Sequence, residues 1–389
     1  MGYRILIYCP DQHISYRATT PEKKGVGGGI VARIRLAQNL ARLGHQVTVI
    51  GHVPRKHMSQ GATFLPLSHA EHQHEVDVAL LMSSGDQLSL ESAVDLPITA
   101  RLREVLVGGT IPIKGVKDLD PDSIIAPSNF NRDALEREWG IPQHKLLTIY
   151  NGMTQIKLTR WQRKKVRDPY SLVYFSHPSK GLDAALAVLR ILRAEQPRFR
   201  LHVFGGNALW GGDDRPLVEP GVINHGTRGQ KEVFSYLANS NFSFHLQARQ
   251  DPFGMVVTES MSQGCIPIAS PVGAFPEIIH HGKNGFLVPG DHTSDSVHQR
   301  TAEIILNGIQ IPEYLNYIRH AGQQIPWTWE NQAKVFSAHW EWELEQKGGV
   351  EKDEGLSCSA CGGSWLLAPD GYHCLKCGRY SQDGITIIP

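Results

Sequence analysis

The sequence lacks any apolar run approaching the roughly 18 residues that a membrane-spanning helix requires. It also lacks a strong charge of either sign, because 39 basic and 38 acidic residues leave a formal net charge of +1. A chain this close to neutral has no overall field that draws it to nucleic acid, so no nucleic-acid partner is expected. The start, MGYRILIYCP, is too short and too polar at its flanks for a secretory signal, which favours a cytoplasmic location.

Cysteine is scarce, with six in 389 residues, and a cytoplasmic location argues against a disulfide framework. Four of the six form two Cys-x-x-Cys pairs with twelve residues between the pairs, a spacing that predicts a structural zinc site. The ligands would be Cys358, Cys361, Cys374 and Cys377. Four thiolates leave the metal no open position, so the zinc would hold together a module too small for a core of its own. A redox-active pair is the alternative.

What the chain does contain is an α/β pattern. An apolar strand over residues 3–9 is followed by a glycine-rich turn at 25–29, an amphipathic helix over 30–43 and a strand over 46–51. Strand, glycine-rich turn, helix and strand form a nucleotide-type βαβ unit. A dinucleotide site is the plainer alternative, but the spacing is not GxGxxG and the loop before the glycines is long.

The most informative stretch runs from Asp251 to Gly285. A tight turn at residues 252–254 precedes a predicted helix with an apolar face that includes Val257 and Met261. Glu259 lies about 130° from the centre of that face, so it is not expected in the core. Gly264 suits the left-handed position that ends a helix, and a short buried strand is expected to follow.

This geometry predicts a ligand site. Free backbone N–H groups around Phe253, Gly254 and Met255 would point toward an anion, and the helix dipole favours negative charge there. Glu259, one turn into the helix, could accept hydrogen bonds from two vicinal hydroxyls. A nucleoside diphosphate sugar offers both groups. The alternative is that Glu259 is a solvated helix residue and Asp251 an ordinary loop acid.

The same stretch resembles the signature of retaining GT-B glycosyltransferases of the group called family 4. The matched positions are Asp251, Phe253, Gly254, Glu259, Met261, Gly264, Pro267, Gly273, Glu277, Ile278, Gly282, Gly285 and Phe286. The family usually has Glu where Asp251 stands. Lys180-Gly-Leu-Asp183 resembles the family's diphosphate-binding lysine motif, with Ser176 and His177 near the place of an arginine that commonly accompanies it.

The resemblance implies an α/β fold of two Rossmann-like domains facing a cleft (GT-B), with a small zinc ribbon at the C-terminus. The implied bounds are 1–152 for the acceptor-side domain, 153–347 for the nucleotide-sugar domain with its closing helix, and 355–389 for the ribbon. It implies a hexosyltransferase that retains configuration, uses a nucleotide-sugar donor and needs no metal for its chemistry.

The residues implied by the resemblance fall into two sets. Asp251 and Glu259 would be catalytic. The donor would contact Gly28, Gly29, Lys180, Thr227, Phe253, Gly254, Met255 and Glu259. The donor base, the sugar and the acceptor, which could be a glycan, a lipid-linked compound or a small molecule, stay open.

A basic stretch at residues 157–167 could contact anionic lipid, although such runs are more often solvated connectors. Two other functions remain compatible with the sequence. One is a nucleotide-sugar epimerase on the same two-domain scaffold. The other is a non-catalytic, glycosyltransferase-like binding module that acts through its zinc ribbon.

Overall fold

The structure is a computed structural model that describes residues 2–83, 88–159, 167–214, 216–347, 358, 365–368, 371–374 and 378–381. The chain forms two compact units. The first unit comprises Met1–Ala18, Gly28–Gly152 and Pro326–Pro389, and the second comprises Thr19–Gly27 and Met153–Ile325. Within the described ranges, every helix is too short or too polar to cross a membrane.

The α-helices of the described residues range from 4 to 19 residues in length. In chain order they are α1 (Thr20–Lys23), α2 (Gly28–Arg42), α3 (Asn129–Trp139), α4 (Leu182–Glu195), α5 (Gln230–Leu237), α6 (Met255–Ser262), α7 (Phe275–Ile278), α8 (Asp295–Ile309), α9 (Pro312–Gln323) and α10 (Trp329–Lys347). Where a helix begins depends on side chains that cap its first backbone N–H groups. At α3, for example, Ser128 Oγ accepts from the Asn131 N–H and satisfies a backbone donor that the helix leaves unpaired.

The first unit is built on one sheet. Its strands are β1 (Arg4–Tyr8), β2 (Gln46–Gly51), β3 (His57–Ser59), β4 (Ala62–Pro66), β5 (His74–Ser83), β6 (Ile98–Val107), β7 (Ser123–Ala126) and β8 (Leu146–Thr148). The strand order is β3-β4-β2-β1-β5-β6-β7-β8, and all pairs are parallel except β3 with β4. Nearly continuous burial of β1 from Ile5 onward fits a parallel strand covered on both faces.

Helix α10 belongs to the first unit, whereas the predicted domain bounds place it with the second. Its grouping has a clear physical cause. His339 Nε2 lies 2.6 Å from Glu104 Oε1, and Trp340 Nε1 donates to Glu104 Oε2 at 2.7 Å. All three side chains are buried, and Glu104 belongs to β6 of the first unit. A buried carboxylate needs such partners, so this contact ties α10 to β6.

The second unit contains an entirely parallel sheet. Its strands are β9 (Asp168–Phe175), β10 (Arg200–Phe204), β11 (Val222–Gly226), β12 (Ser240–His245), β13 (Ile266–Ala269) and β14 (Phe286–Leu287). The strand order is β11-β10-β9-β12-β13-β14. The chain proceeds from β9 toward β11 on one side and resumes at β12 on the other. In open α/β sheets such a switch point, at the carboxyl ends of the strands, is where ligands bind.

Three short strands of the C-terminal segment form an antiparallel sheet: β15 (Trp365–Ala368), β16 (Gly371–Cys374) and β17 (Tyr380–Ser381). Cys358 and Cys374 are buried in one cluster with Trp365 packed against it. The other two predicted zinc ligands, Cys361 and Cys377, lie outside the described residues. In the part of the chain that is described, no group of three or more His, Cys, Asp or Glu side chains could hold a metal. The zinc site therefore stays a prediction.

Most of the basic stretch predicted to contact lipid also lies outside the described residues, namely positions 160–166. Arg167 at its end is described and is not a solvated residue. Its Nη1 donates to the carbonyls of Leu237 and Ser240, both at 2.7 Å, and its Nη2 donates to the carbonyl of Gln263. Arg167 thus joins the start of β9 to backbone around β12 and α6.

Candidate functional site

The centre of the candidate site is an ion pair between a predicted donor-contacting residue, Lys180, and a predicted catalytic residue, Asp251. Lys180 follows β9 and Asp251 follows β12, the two strands at the switch point. Lys180 Nζ lies 2.7 Å from Asp251 Oδ2, with side-chain exposures of 20% and 10%. The turn that carries Lys180 is tight, because Gly181 has φ +91° and any side chain there would overlap the Leu246 carbonyl. The fold therefore brings together side chains that are 71 positions apart.

Asp251 is held as a carboxylate. Burial alone would raise its pKa, but the charge and hydrogen bond of Lys180, together with the N–H groups of Phe253 and Gly254, hold the pKa of Asp251 below its usual range. The Phe253 N–H lies 3.3 Å from Asp251 Oδ1. This corrects one expectation from the sequence. The N–H groups of Phe253 and Gly254 are not free for a ligand, because the carboxylate of Asp251 already accepts from them.

Gly254 forms the entry to α6. It has φ +96° and ψ +50°, and a Cβ at this position would lie 2.7 Å from Phe275 Cε1. Only glycine combines that left-handed backbone with so close a neighbour. The Phe253 side chain is 1% exposed, so it packs in the core, and only its backbone faces Asp251. Met255 begins α6, as predicted, and Gly264 has φ +68° after its end.

Glu259 differs from its expected position. The helical wheel predicts a residue outside the core, but Glu259 is only 7% exposed. The wheel assumes that α6 buries one face, whereas this short helix packs against α5, α7, α9 and β13. Gln230 at the start of α5 explains how a carboxylate is tolerated there, because its Nε2 donates to Glu259 Oε1 at 2.6 Å.

His245, at the last position of β12, was missed by the sequence analysis. Its Nε2 lies 3.0 Å from Ser243 Oγ, and Ser243 Oγ donates to Ser260 Oγ at 2.9 Å. Burial lowers the pKa of His245 to about 3, with Asp251 opposing and Lys180 reinforcing that shift, so the imidazole is neutral. The sequence signal is the alternation of aromatic and polar residues from Phe242 to His245, and the structure shows that every residue of this strand is buried. His245 and the two serines connect β12 to α6.

The glycine-rich turn divides between the two units. Gly28 and Gly29, the predicted donor contacts, are the first two residues of α2 and belong to the first unit. Gly25 belongs to the second unit, where a Cβ would lie 2.7 Å from Thr227 Cγ2 and 2.9 Å from the Arg228 carbonyl oxygen. Gly25, which lies three positions before Gly28 and four before Gly29, is therefore the glycine of this turn that closely approaches the predicted nucleobase region at Thr227.

A cavity of about 380 Å³ opens at the carboxyl ends of β9, β10 and β11. This volume suits a small ligand. Its polar lining includes Ser176, His177, Asn207, Asp214 and Asn224. The long connection from β10 to β11 forms one wall, and within it the described structure has a single short helical turn, Asn207–Trp210. The cavity borders the turn that carries Lys180, since His177 and Ser179 belong to both.

Comparison with known proteins agrees with this arrangement. Residues 159–324 match the family described as Glycosyl transferases group 1. An uncharacterized glycosyltransferase of Bacillus subtilis, YqgM, is 24% identical over 220 residues, covering 52% of this chain and 55% of the relative. The chain thus spans about half the length of the curated relatives it matches.

Solved structures share the fold at low sequence identity. A glycosyltransferase from Rickettsia africae has a TM-score of 0.63 at 13% identity, covering 89% of this chain and 100% of that one. The Anabaena protein HepE in complex with UDP has a TM-score of 0.59 at 16% identity, covering 87% and 100%. Lys180, Thr227, Asp251 and Glu259 all lie inside the matched residues. Residues 159–324 therefore match the glycosyltransferase group 1 family, and the chain shares the fold of these solved structures.

Proposed function

We propose that this protein is a retaining glycosyltransferase that moves a sugar from a nucleoside diphosphate donor to an acceptor hydroxyl. The observation that carries the proposal is the pairing of Lys180 with Asp251 at the switch point of the second sheet, inside the matched domain. A cation suited to phosphate and a carboxylate suited to sugar hydroxyls stand side by side there. Retention of configuration rests on the motif between Asp251 and Phe286 and on the family resemblance.

In the proposed reaction, the bond between the anomeric carbon and the diphosphate oxygen breaks, and negative charge grows on the leaving diphosphate. Lys180 and the N-terminal end of α6 stabilise that charge. Asp251, kept ionised by its partners, accepts hydrogen bonds from the sugar. The acceptor oxygen bonds to the anomeric carbon, and the acceptor hydroxyl passes its proton to the departing diphosphate oxygen. No metal takes part in these proposed steps.

The nucleoside is held by residues of α5 and α6 and by the turn before α5. Glu259 accepts from the two ribose hydroxyls, while Gln230 fixes the orientation of its carboxylate. Backbone near Thr227 contacts the base, and Gly25 packs against this turn. HepE was solved with UDP, which makes the uridine nucleotides the first donors to test.

The proposal is tested by measuring nucleotide binding and sugar transfer in matched lysine variants. Lys180→Gln should weaken binding of UDP, GDP or ADP, whichever the protein prefers, and should abolish transfer. Lys283→Gln is the control, because Lys283 is an exposed lysine of the same unit outside the site. Equal binding and transfer in wild type and Lys180→Gln would contradict the proposal.

Product analysis separates transfer from epimerisation. Incubation with a nucleotide sugar and a panel of hydroxyl acceptors should give a glycoside with the anomeric configuration of the donor, which proton NMR reads directly. An epimerised free donor in the absence of acceptor would instead favour the epimerase. Nucleotide binding without any turnover would favour the binding module.

We also propose that the C-terminal segment binds one structural zinc through Cys358, Cys361, Cys374 and Cys377. The burial of Cys358 and Cys374 in one cluster, against which Trp365 packs, supports this assignment. The Gly378 N–H donates to the Cys374 carbonyl, and Gly378 has φ +68°. A zinc ion bound there would cross-link the short strands.

A further inference from the structure

Arg249, in the loop between β12 and α6, has an unusual setting for an exposed arginine. Its Cζ lies 4.9 Å from the centroid of the Trp210 ring, in a cation–π contact. The Trp210 ring stacks in turn on His177, with ring centroids 3.7 Å apart and planes inclined by 10°. His177 lies on the turn that carries Lys180. The stack of Arg249, Trp210 and His177 therefore joins the loops that follow β9, β10 and β12.

The charge of Arg249 is not neutralised by a neighbour. Within the part of the chain that the structure describes, its guanidinium has no hydrogen bond and no carboxylate partner. Lys180, by contrast, is paired with Asp251 at 2.7 Å. A stacked guanidinium uses its flat face on the aromatic ring and keeps its N–H edge available. The Trp210 ring thus holds the Arg249 guanidinium in place, and its N–H donors are available to a ligand.

His177 does not supply positive charge at this turn. Burial, followed by the nearby charges of Arg249 and Lys180, lowers the pKa of His177 below its usual range. Its Nδ1 lies 2.8 Å from Ser179 Oγ and accepts from the Ser179 N–H at 3.2 Å. The imidazole is therefore neutral and provides a flat surface on which the Trp210 ring stacks. The two cations that act on the turn are Lys180 and Arg249.

We propose that Arg249 binds the diphosphate of the donor nucleotide together with Lys180, and this inference rests on the function proposed above. Lys180, Asp251 and Arg249 together carry a charge of +1, and Arg249 supplies all of it, because the other two neutralise each other. A diphosphate is negatively charged, so its binding is favoured by a site with a net positive charge. The guanidinium fork matches two phosphate oxygens at once, which a lysine does not. Trp210 holds the fork in place.

The test compares Arg249→Gln with Arg198→Gln. Arg198 is a matched control, since its Cζ lies 4.4 Å from the centroid of the Tyr170 ring in the same unit and it has no part in the site. Calorimetry gives dissociation constants for UDP, GDP and ADP and for the matching monophosphates. Thermal unfolding confirms that each variant is folded.

Arg249→Gln should weaken diphosphate binding by about 10- to 100-fold and monophosphate binding by less, as expected for the loss of charge-assisted hydrogen bonds. Trp210→Leu should cause a smaller loss, and Arg198→Gln none. If Lys180→Gln weakens diphosphate binding and Arg249→Gln does not, the assignment of Arg249 is wrong and the proposed function stands. If the folded wild-type protein binds none of the three diphosphates, both are wrong.

Discussion

Gln230 Nε2 donates to Glu259 Oε1 across 2.6 Å, and the carboxylate that accepts is almost fully buried. The bond joins the first turn of α5 to the middle of α6. It fixes the orientation of a carboxylate that would otherwise rotate. A carboxylate has lone pairs enough to accept from Gln230 and from a ribose diol at the same time. In the proposed function, Glu259 is therefore already oriented for the ribose hydroxyls before a nucleotide binds.

Replacement of Glu259 by Gln tests this role. The amide keeps the size of the side chain but loses the charge, and it can accept at one oxygen only. Binding of a ribonucleoside diphosphate should weaken by about 10-fold or more, the effect of losing a hydrogen bond to a charged group. A 2′,3′-dideoxynucleotide should bind equally to both proteins. Calorimetry measures both affinities.

Glu232→Gln is the control for this variant, because Glu232 is an exposed residue of α5. An equal loss of affinity for the ribonucleotide and the dideoxynucleotide would show that Glu259 acts on the fold and not on the ribose.

Asp251→Asn should separate binding from transfer. The substitution releases Lys180 from its ion pair, so diphosphate binding should be kept or tightened. Transfer should fall by at least about 100-fold, the usual effect of removing a group that acts on the transition state. Glu303→Gln, which changes an exposed acid on α8, should leave both unchanged. Transfer at the wild-type rate in Asp251→Asn would contradict the role proposed for Asp251 in the reaction.

The stability contributed by Asp251 should depend on pH. The folded-state pKa of Asp251 is below the ordinary value of 3.8, so the folded protein holds this proton less tightly than the unfolded chain. The contribution is therefore fully present above that ordinary value and is lost as the pH falls through the folded-state pKa. Urea unfolding from pH 6 to pH 3 should show the difference between wild type and Asp251→Asn shrinking below about pH 4. A constant difference across the range would contradict the ion pair.

Gly254→Ala should destabilise the protein more than a matched glycine change. Gly226 also has a left-handed backbone, with φ +65°, but a Cβ there would meet nothing within 4 Å. Gly226→Ala should lower the free energy of unfolding by about 1–2 kcal/mol from the backbone alone. Gly254→Ala adds the overlap with Phe275, so its loss should be larger by about 1–3 kcal/mol. Denaturant unfolding of both variants checks this, and equal losses would mean that Phe275 moves aside at no cost.

The zinc proposal predicts a specific pattern of metal loss. Cys358→Ser and Cys374→Ser should each remove about one equivalent of zinc per chain, as measured by elemental analysis of protein purified without chelator. Cys265→Ser should retain it, because burial raises the pKa of the Cys265 thiol to about 12 and thiols of that kind are not metal ligands at neutral pH. Absence of zinc from the wild-type protein would contradict the proposal.

Much of the fold could be predicted because its signals are local. The strand, glycine-rich turn, helix and strand at the N-terminus follow from periodicity, and β1, α2 and β2 are confirmed within a few residues. Gly264 is left-handed, as its place after a helix implied. The ion pair between Lys180 and Asp251 was not predicted, although both residues were named, because 71 positions separate them and the strand order alone brings them together.

Other features depend on neighbours that a helical wheel does not include. Glu259 is buried because α6 packs on several sides, and the pattern of one helix contains no information about its surroundings. Arg167 looked like part of a solvated basic run, yet it donates to three backbone carbonyls. The sequence contains no indication of a role for Arg249, because its orientation depends on the contact with Trp210, which lies on another loop.

The membership of Thr19–Gly27 in the second unit means that neither unit is a continuous stretch of chain. The polypeptide passes between the units after Ala18, Gly27, Gly152 and Ile325. A gene fragment cut at the obvious boundary would therefore remove nine residues that cover Gly229 and Thr227, and it would leave backbone there exposed to solvent. A fragment or chimera that is meant to contain the second unit would have to carry this N-terminal segment along with residues 153–325.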